Sequence, residues 1–237
     1  FSPDYLAGAF ESKEETFRSK EYPEYKANRK EPPDDLIPQI PVLIDIIKAF
    51  NIPLLSESGY EADDIIASLV EKFGKDKNLE ILIVSGDKDL MQLVKDNVKC
   101  ISSVKGISEI TVFDEKAVKD KFGVPPVKIL DFLTLTGDTS DNIPGIKGIG
   151  PVSAVKLLSE FDSIESIFEN IDRLKGKIRD NISRGRADAE LSRKLLTLFK
   201  DINLNIKIDD LVTPFFNNSE GIALLKQYEL SNLLKDP

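Results

Sequence analysis

Carboxylates occur in four short clusters of the chain, each beside a motif that begins or ends a secondary-structure element. One acid follows a short apolar run, and the motif GYEADD opens an apolar helix pattern. The motif SGDKDL follows the run LEILIV, and LTGDTSDNIPG follows another helix pattern. The acids are Glu11, Glu61, Asp63, Asp64, Asp87, Asp89, Asp138 and Asp141. Any one cluster also fits ordinary helix capping or turn chemistry, but together they predict a site built from oxygen ligands.

The composition removes most other catalytic chemistries. The 237 residues include no His and a single Cys, Cys100. This excludes Ser-His-Asp and Cys-His nucleophile systems, an imidazole base, a His-containing zinc site and an intrachain disulfide. The chemistry that remains uses carboxylates, lysine, tyrosine, hydroxyl groups and hard metal ions.

The acids follow elements that an α/β sheet would align. Apolar runs and 3/4-spaced apolar residues predict strand, helix, strand, helix and strand, in that order, over residues 5–10, 34–50, 52–55, 58–74 and 79–84. This order predicts a mostly parallel sheet with right-handed crossovers. Ligands bind outside the carboxyl ends of such strands, where we expect Glu11, Asp87 and Asp89.

Several carboxylates at one edge of a sheet would repel one another unless cations neutralised them. Oxygen-only ligand sets favour Mg²⁺ or Mn²⁺ over zinc. The sequence therefore predicts a divalent metal site formed by the clustered acids.

The second half of the chain has a helical pattern. Residues 98–101 and 110–113 first flank a turn at Lys105-Gly106, which predicts a β excursion. Helices are then predicted at 115–122, 126–136, 151–160, 163–170, 173–182, 187–199 and 219–235. We therefore predict an α/β domain over 1–114 and a helical domain over 115–237, which share a close interface because no low-complexity linker separates them.

The net charge of −9 alone argues against a nucleic-acid partner, because phosphate binding requires basic surface. The eight clustered acids account for eight of those nine excess charges, so the remaining surface is nearly neutral. Residues 13–30 carry six Lys and Arg against four Glu and predict an exposed basic arm, and residues 173–194 have a net charge of +5. If the acids form a metal site, nucleic acid is a plausible partner.

The segment NIPGIKGIGPVSAVKLL predicts a glycine-rich hairpin that leads into a helix. Gly145, Gly148 and Gly150 permit tight turns, and Pro151 suits the first position of a helix. Backbone N–H groups at such a helix start bind anions, and residues without side chains can approach a phosphodiester backbone. With Lys147 between the glycines, the pattern favours contact with a duplex over a plain connection between helices.

Three ordered motifs, GYEADD, SGDKDL and LTGDTSDNIPGIKGIG, resemble the 5′-nuclease domain of bacterial DNA polymerase I and related flap endonucleases. The resemblance covers the whole chain: FESKEETFR and YPEYKANR are similar to the strand end and arch of that domain, and LLKQYELSNLL to its last helix. It implies a PIN-like sheet flanked by helices and a helical domain with a helix-hairpin-helix element. The implied activity is structure-specific 5′-3′ exonuclease or flap endonuclease cleavage of DNA by two divalent metal ions, Mg²⁺ or Mn²⁺.

The same resemblance implies roles for individual residues. It assigns Lys26 and Arg29 to the catalytic arch near the scissile phosphate, and it implies a K⁺ ion held by backbone carbonyls of the hairpin. The hairpin residues assigned to duplex binding are Gly145, Lys147, Gly148 and Gly150. The residues assigned to the metal site are Glu61, Asp63, Asp64, Asp87, Asp89, Asp138 and Asp141, with Glu11 where the family usually has Asp. Tyr22 and Tyr25 in the arch either stack bases of a frayed end or pack the arm onto the body.

One further departure from the family concerns the start of the chain. The family begins with another strand that bears an Asp ligand, followed by helices, ahead of the position of Phe1. We therefore expect that the chain lacks an N-terminal piece of the domain, and that a polymerase domain can follow Pro237.

Two other functions remain compatible with the sequence. One is a non-catalytic module that binds DNA junctions, and the other is a PIN-like nuclease that acts on RNA. The expected partners are 5′-flap, nicked or gapped DNA duplexes. No membrane partner is expected, because no apolar run reaches the length of a spanning helix. A cytoplasmic location is expected because the first residues lack the pattern of a signal peptide.

Overall fold

The computed structural model describes residues 2–105, 109–213 and 218–234. Within these ranges the chain forms five short strands, β1 (Gly8–Ala9), β2 (Leu54–Leu55), β3 (Ile81–Val84), β4 (Val98–Lys105) and β5 (Glu109–Phe113). β1 pairs with β2 and β3 pairs with β4 in parallel, whereas β5 lies antiparallel to β4. The mostly parallel pairing confirms the predicted α/β class, and Gly106 of the predicted turn lies outside the described residues.

The strands form two sheets rather than the single sheet that their order predicts. β1 and β2 make a two-stranded sheet, and β3, β4 and β5 make a separate three-stranded sheet. In the described part of the chain, no strand joins the β1–β2 sheet to β3. Val84 at the end of β3 is 79% exposed. β1, β2 and β3 are shorter than the predicted apolar runs, whereas β4 and β5 pair with each other and extend beyond theirs, because a strand extends only where a neighbour supplies backbone partners.

The described ranges also contain ten α-helices. In the first half they are α1 (Phe17–Glu21), α2 (Gln39–Ala49) and α3 (Ala62–Phe73). In the second half they are α4 (Glu115–Phe122), α5 (Ile129–Thr136), α6 (Pro151–Phe161), α7 (Ile164–Glu169), α8 (Gly176–Arg184), α9 (Arg186–Leu196) and α10 (Ser219–Gln227). α3 contacts both β1 and the 3-10 helix Asp89–Leu93 that follows β3, so it bridges the two sheets.

Two predicted helices differ from the structure most in their extent. The helix predicted from residue 34 begins only at Gln39, because Pro38 disfavours helical backbone at the residue before it. The helix predicted over 219–235 ends at Gln227, and Glu229 then has a φ of 59° before a 3-10 turn at Ser231–Leu234. A left-handed residue cannot continue a right-handed helix.

One hydrophobic core runs through both halves of the chain. Its members range from Tyr25 in the arm and Ala67 in α3 to Ile146 in the hairpin and Leu198 beyond α9. A smaller cluster joins α2 to α10 through Ile46, Phe50 and Leu225. The continuous core confirms the predicted close interface. In the described ranges, no helix combines the length and the apolar character needed to cross a bilayer.

Candidate active site

The four acidic clusters lie at the ends of four elements. Glu61 is the N-cap of α3, and Asp63 and Asp64 lie in the first turn of that helix. Asp87 and Asp89 follow β3, where the backbone N–H of Asp89 donates to Asp87 Oδ1 at 2.9 Å. Asp138 and Asp141 lie in the loop after α5, and Glu11 follows β1.

Side chains from the arm connect these clusters to one another. Lys26 Nζ lies 2.9 Å from Glu61 Oε1 and 3.6 Å from Glu11 Oε1. The Tyr25 hydroxyl donates to Glu61 Oε2 at 3.0 Å and lies 3.3 Å from Asp141 Oδ2. The structure therefore brings acids from the end of β1, the start of α3 and the loop after α5 into one site.

Like charges and burial alter the acidity of two members of this site. Desolvation, with the nearby Asp87 and Glu61 carboxylates, raises the pKa of Asp63 to about 7. Desolvation, followed by the Asp87 and Asp138 carboxylates, also raises the pKa of Asp89 well above its usual range. These acids are therefore close enough to repel one another, as the sequence predicts.

Cations of the protein itself neutralise part of the site. Lys88 Nζ lies 2.7 Å from Asp138 Oδ1, and Arg29 Nε donates to Asp141 Oδ1 at 3.1 Å. In residues 2–105, 109–213 and 218–234, no three acidic side chains stand in an arrangement that would hold a metal ion as they are. The buried Asp89 Oδ1 nevertheless accepts no hydrogen bond from any described group. A buried carboxylate oxygen without a donor, within an all-oxygen donor set, suits a hard divalent cation.

The arm is less exposed than the sequence predicts. Most of its residues are exposed, but Arg18 and Tyr25 are buried, because their polar groups find partners among the site acids. Tyr25 thus packs the arm onto the body in this conformation and presents no ring for base stacking. The Tyr22 hydroxyl donates to Glu24 at 2.9 Å. Lys26 has a φ of 57°, and its N–H donates to the carbonyl of Asp141.

Sequence reasoning missed two basic residues of the site. Lys88 stands between the two acids of SGDKDL, and a lysine flanked by site carboxylates was the available signal. Arg18 lies in the basic stretch FRSK, where nothing distinguishes it from its exposed neighbours. Its burial depends on partners from distant parts of the chain, which spacing alone does not reveal.

The hairpin between α5 and α6 separates buried anchors from an exposed tip. Ile143, Ile146 and Ile149 are buried in the core, whereas Lys147 and Gly150 are exposed. This alternation fixes the hairpin to the body and leaves its tip on the surface.

The three hairpin glycines have different surroundings. A Cβ atom at Gly145 would lie 2.2 Å from the backbone nitrogen of Gly137, so this buried glycine is required by packing and does not lie on the exposed tip. Gly148 has a φ of 83°, and a Cβ atom there would lie 2.5 Å from Asn181 Nδ2. A Cβ atom at Gly150 would meet nothing within 4 Å. At Gly150, therefore, the fold itself leaves room for a side chain.

Two family models match consecutive parts of the chain. Residues 1–123 match the 5′-3′ exonuclease N-terminal resolvase-like domain, and residues 124–219 match the 5′-3′ exonuclease C-terminal SAM fold. The predicted boundary after residue 114 stays a prediction.

Relatives of known name agree with these models. The chain is 44% identical over 235 residues to DNA polymerase I of Caldicellulosiruptor bescii, covering 98% of this chain and 28% of the relative. It is 40% identical over 234 residues to the 5′-3′ exonuclease of Aquifex aeolicus, covering 99% of this chain and 78% of the relative. The chain thus spans about a quarter of the length of the polymerase.

Solved structures share the fold. T5 5′-exonuclease with divalent zinc ions bound has a TM-score of 0.66 at 24% identity, covering 81% of this chain and 73% of its own. A bacteriophage T5 D15 flap endonuclease variant in a complex with DNA and metal ions has a TM-score of 0.65 at 22% identity, covering 95% of this chain and 83% of its own. The chain therefore has a PIN-like, resolvase-like domain followed by a SAM-like helical domain. Because both family models match in order and the relatives are 5′-3′ exonucleases or DNA polymerase I, the chain belongs to the 5′-3′ exonuclease family.

Proposed function

We propose that the protein is a structure-specific 5′-3′ exonuclease and flap endonuclease that hydrolyses DNA phosphodiesters with two divalent metal ions, Mg²⁺ or Mn²⁺. The observation that supports this most directly is the convergence of carboxylates from α3, from the segment after β3 and from the loop after α5, among which the buried Asp89 Oδ1 accepts no hydrogen bond from any described group. Family membership supports the class of reaction, and the acids support the choice of ion.

The acids divide naturally into two groups that would hold the ions. One group centres on Asp63, whose like-charged neighbours are Asp87 and Glu61, and the other on Asp89, whose like-charged neighbours are Asp87, Asp138 and Asp141. When bound, the metal ions would activate water and stabilise charge on the leaving oxygen.

Lys26 and Arg29 would position the scissile phosphate. Both belong to the arm, where Lys26 pairs with Glu61 and Arg29 pairs with Asp141. With those acids bound to divalent ions, the two side chains would be free to contact an anionic phosphate. Lys26 and Arg29 would then orient the phosphate and stabilise its charge. We propose this role for both residues.

The exposed hairpin tip and the basic stretch 173–194 would contact the duplex backbone. Lys147 and Gly150 are exposed on the tip, and the basic side chains of α8, such as Lys177 and Arg184, are also exposed. Contacts of this kind fix the register of a duplex without reading its sequence, as a structure-specific enzyme requires. The K⁺ ion at the hairpin and the linked polymerase remain predictions.

The decisive experiment uses a 5′-labelled flap duplex, a nicked duplex, a single strand and an RNA hairpin of the same sequence. We expect cleavage near the flap junction with Mg²⁺ or Mn²⁺, no cleavage with Ca²⁺ or excess EDTA, and little cleavage of RNA. Junction binding without cleavage under any metal would favour the non-catalytic module. Preferential cleavage of RNA would favour the RNA nuclease.

A further inference from the structure

Arg18 is a buried cation that lies against the first turn of α3. The side chain is 2% exposed and projects from α1, a short helix within the arm. Its Nε donates to the carbonyl of Leu195 at 2.7 Å, and its Nη2 donates to the carbonyl of Thr197 at 3.1 Å. Both carbonyls belong to the C-terminal end of α9, where helix carbonyls lack intrahelical partners. Arg18 therefore caps a helix of the second half of the chain.

Asp64 is the carboxylate that balances this cation. Arg18 Nη1 donates to Asp64 Oδ2 at 2.7 Å, and Nη2 donates to Oδ1 at 2.8 Å, which is the bidentate geometry of a strong charge-assisted pair. The backbone N–H of Glu61 also donates to Oδ2 at 3.1 Å, and that of Phe199 to Oδ1 at 2.9 Å. The side chain is fully buried. Four donors occupy the roughly four lone-pair directions of a carboxylate.

Aromatic rings cover the pair. The Phe17 ring lies 4.5 Å from the Arg18 guanidinium carbon and 4.7 Å from the Phe199 ring, and the Tyr60 ring lies 5.3 Å from the Phe199 ring. Water is thereby kept from the ion pair, which strengthens its electrostatics and makes the loss of either partner costly.

We propose that Arg18 and Asp64 are positioning residues for the nuclease reaction, and that Asp64 is not a metal ligand. The proposal rests on the proposed function and revises the role that the family resemblance implies for Asp64. The pair joins the start of the arm, the first turn of α3 and the chain after α9. It also holds Glu61, whose Oε2 lies 3.3 Å from Arg18 Nη1 and whose N–H is bound by Asp64.

The neighbouring acid Asp63 is a matched comparison. It lies in the same helix turn, but its carboxylate interacts with the carboxylates of Asp87 and Glu61. Asp63→Asn should weaken Mn²⁺ binding on the order of tenfold or more, because it removes a ligand. Glu71→Gln, which removes a partly exposed acid from the other end of α3, is the control for loss of charge.

The test is a double-mutant cycle with Arg18→Met, Asp64→Leu and the double variant Arg18→Met/Asp64→Leu. Melting temperature is measured in EDTA, and Mn²⁺ affinity is measured by calorimetry. Each single substitution leaves a buried partner unbalanced and should lower the melting temperature by roughly 10 °C. The double variant should recover part of that loss, because no unbalanced charge remains although the backbone groups bound by the pair stay unpaired, and it should bind Mn²⁺ far more tightly than Asp63→Asn does.

A double variant that binds Mn²⁺ as weakly as Asp63→Asn would show that Asp64 is a ligand and overturn the proposal. A double variant no more stable than either single variant would also overturn it. Neither readout depends on cleavage, so a protein without nuclease activity would refute the proposed function and leave this test intact.

Discussion

Replacing Gly150 separates the contribution of the hairpin to DNA binding from its contribution to the fold. Gly150 is the N-cap of α6, with φ −95° and ψ 179°, a backbone conformation that any residue adopts. An added Cβ atom meets nothing within 4 Å. Asp and Asn are preferred at N-caps, so Gly150→Asp and Gly150→Asn should each raise the free energy of unfolding by a few tenths of a kcal/mol.

The two variants differ only in charge, and that difference should appear in duplex affinity. A carboxylate about 5 Å from a phosphate at an exposed surface costs about 1 kcal/mol, which is roughly a fivefold loss of affinity. We therefore expect Gly150→Asp to bind a flap duplex roughly five times more weakly than Gly150→Asn, although both proteins should be slightly more stable than the unaltered one. The gap should shrink as salt rises, because ions screen exposed charges.

The assay is fluorescence anisotropy of a labelled duplex and a labelled single strand in EDTA, with melting temperatures measured on the same samples. Equal duplex affinities for the Asp and Asn variants would refute the reasoning that the hairpin tip faces phosphates. A bulky residue at Gly148 is a poorer probe, because the positive φ and the contact with Asn181 would lower stability whether or not DNA binds there.

Three other outcomes test the rest of the site. Lys147→Ala should reduce the slope of log K against log salt by about 0.9, as expected for one lost phosphate contact, and an unchanged slope would remove Lys147 from the interface. Asp89→Asn should lower turnover by orders of magnitude and raise the melting temperature in EDTA, because it relieves repulsion in the metal-free site; a lower melting temperature at full turnover would make Asp89 structural. Since the folded-state pKa of Asp63 is raised to about 7, the metal-free protein should lose stability as pH rises from about 4 to 7, and less so in Asp63→Asn. Melting curves of both proteins across that range check this, and parallel pH profiles would contradict it.

The sequence predicts the members of the site better than their partners. Spacing and composition identify the four acidic clusters, and the structure brings acids from all four together because their elements end at the same region. Spacing cannot show which way each side chain points. Asp63 and Asp64 are adjacent in one helix turn, and consecutive helical residues point to different faces. Asp64 meets Arg18 through contacts about 46 positions apart in sequence, which no local pattern encodes.

Local patterns also predict helices better than strands. The helix predicted over 115–122 coincides with α4, whose N-cap Asp114 and C-terminal Gly123 are visible in the sequence. β1 contains only Gly8–Ala9 of the predicted run 5–10, because strand length is set by a neighbouring strand rather than by the run itself. For Tyr25 the sequence left two roles open, base stacking and packing of the arm onto the body, and the structure shows the second because the hydroxyl bonds to acids from two other elements.

The shared core has a consequence for how the protein folds. The two family models divide the chain between residues 123 and 124, yet one continuous apolar cluster includes Ala67 of α3 and Leu195 of α9. A chain cut at that junction would expose to water, in each fragment, the apolar side chains that pack across it. The two parts should therefore melt in a single cooperative transition, with equal calorimetric and van't Hoff enthalpies, although they read in sequence as separate modules.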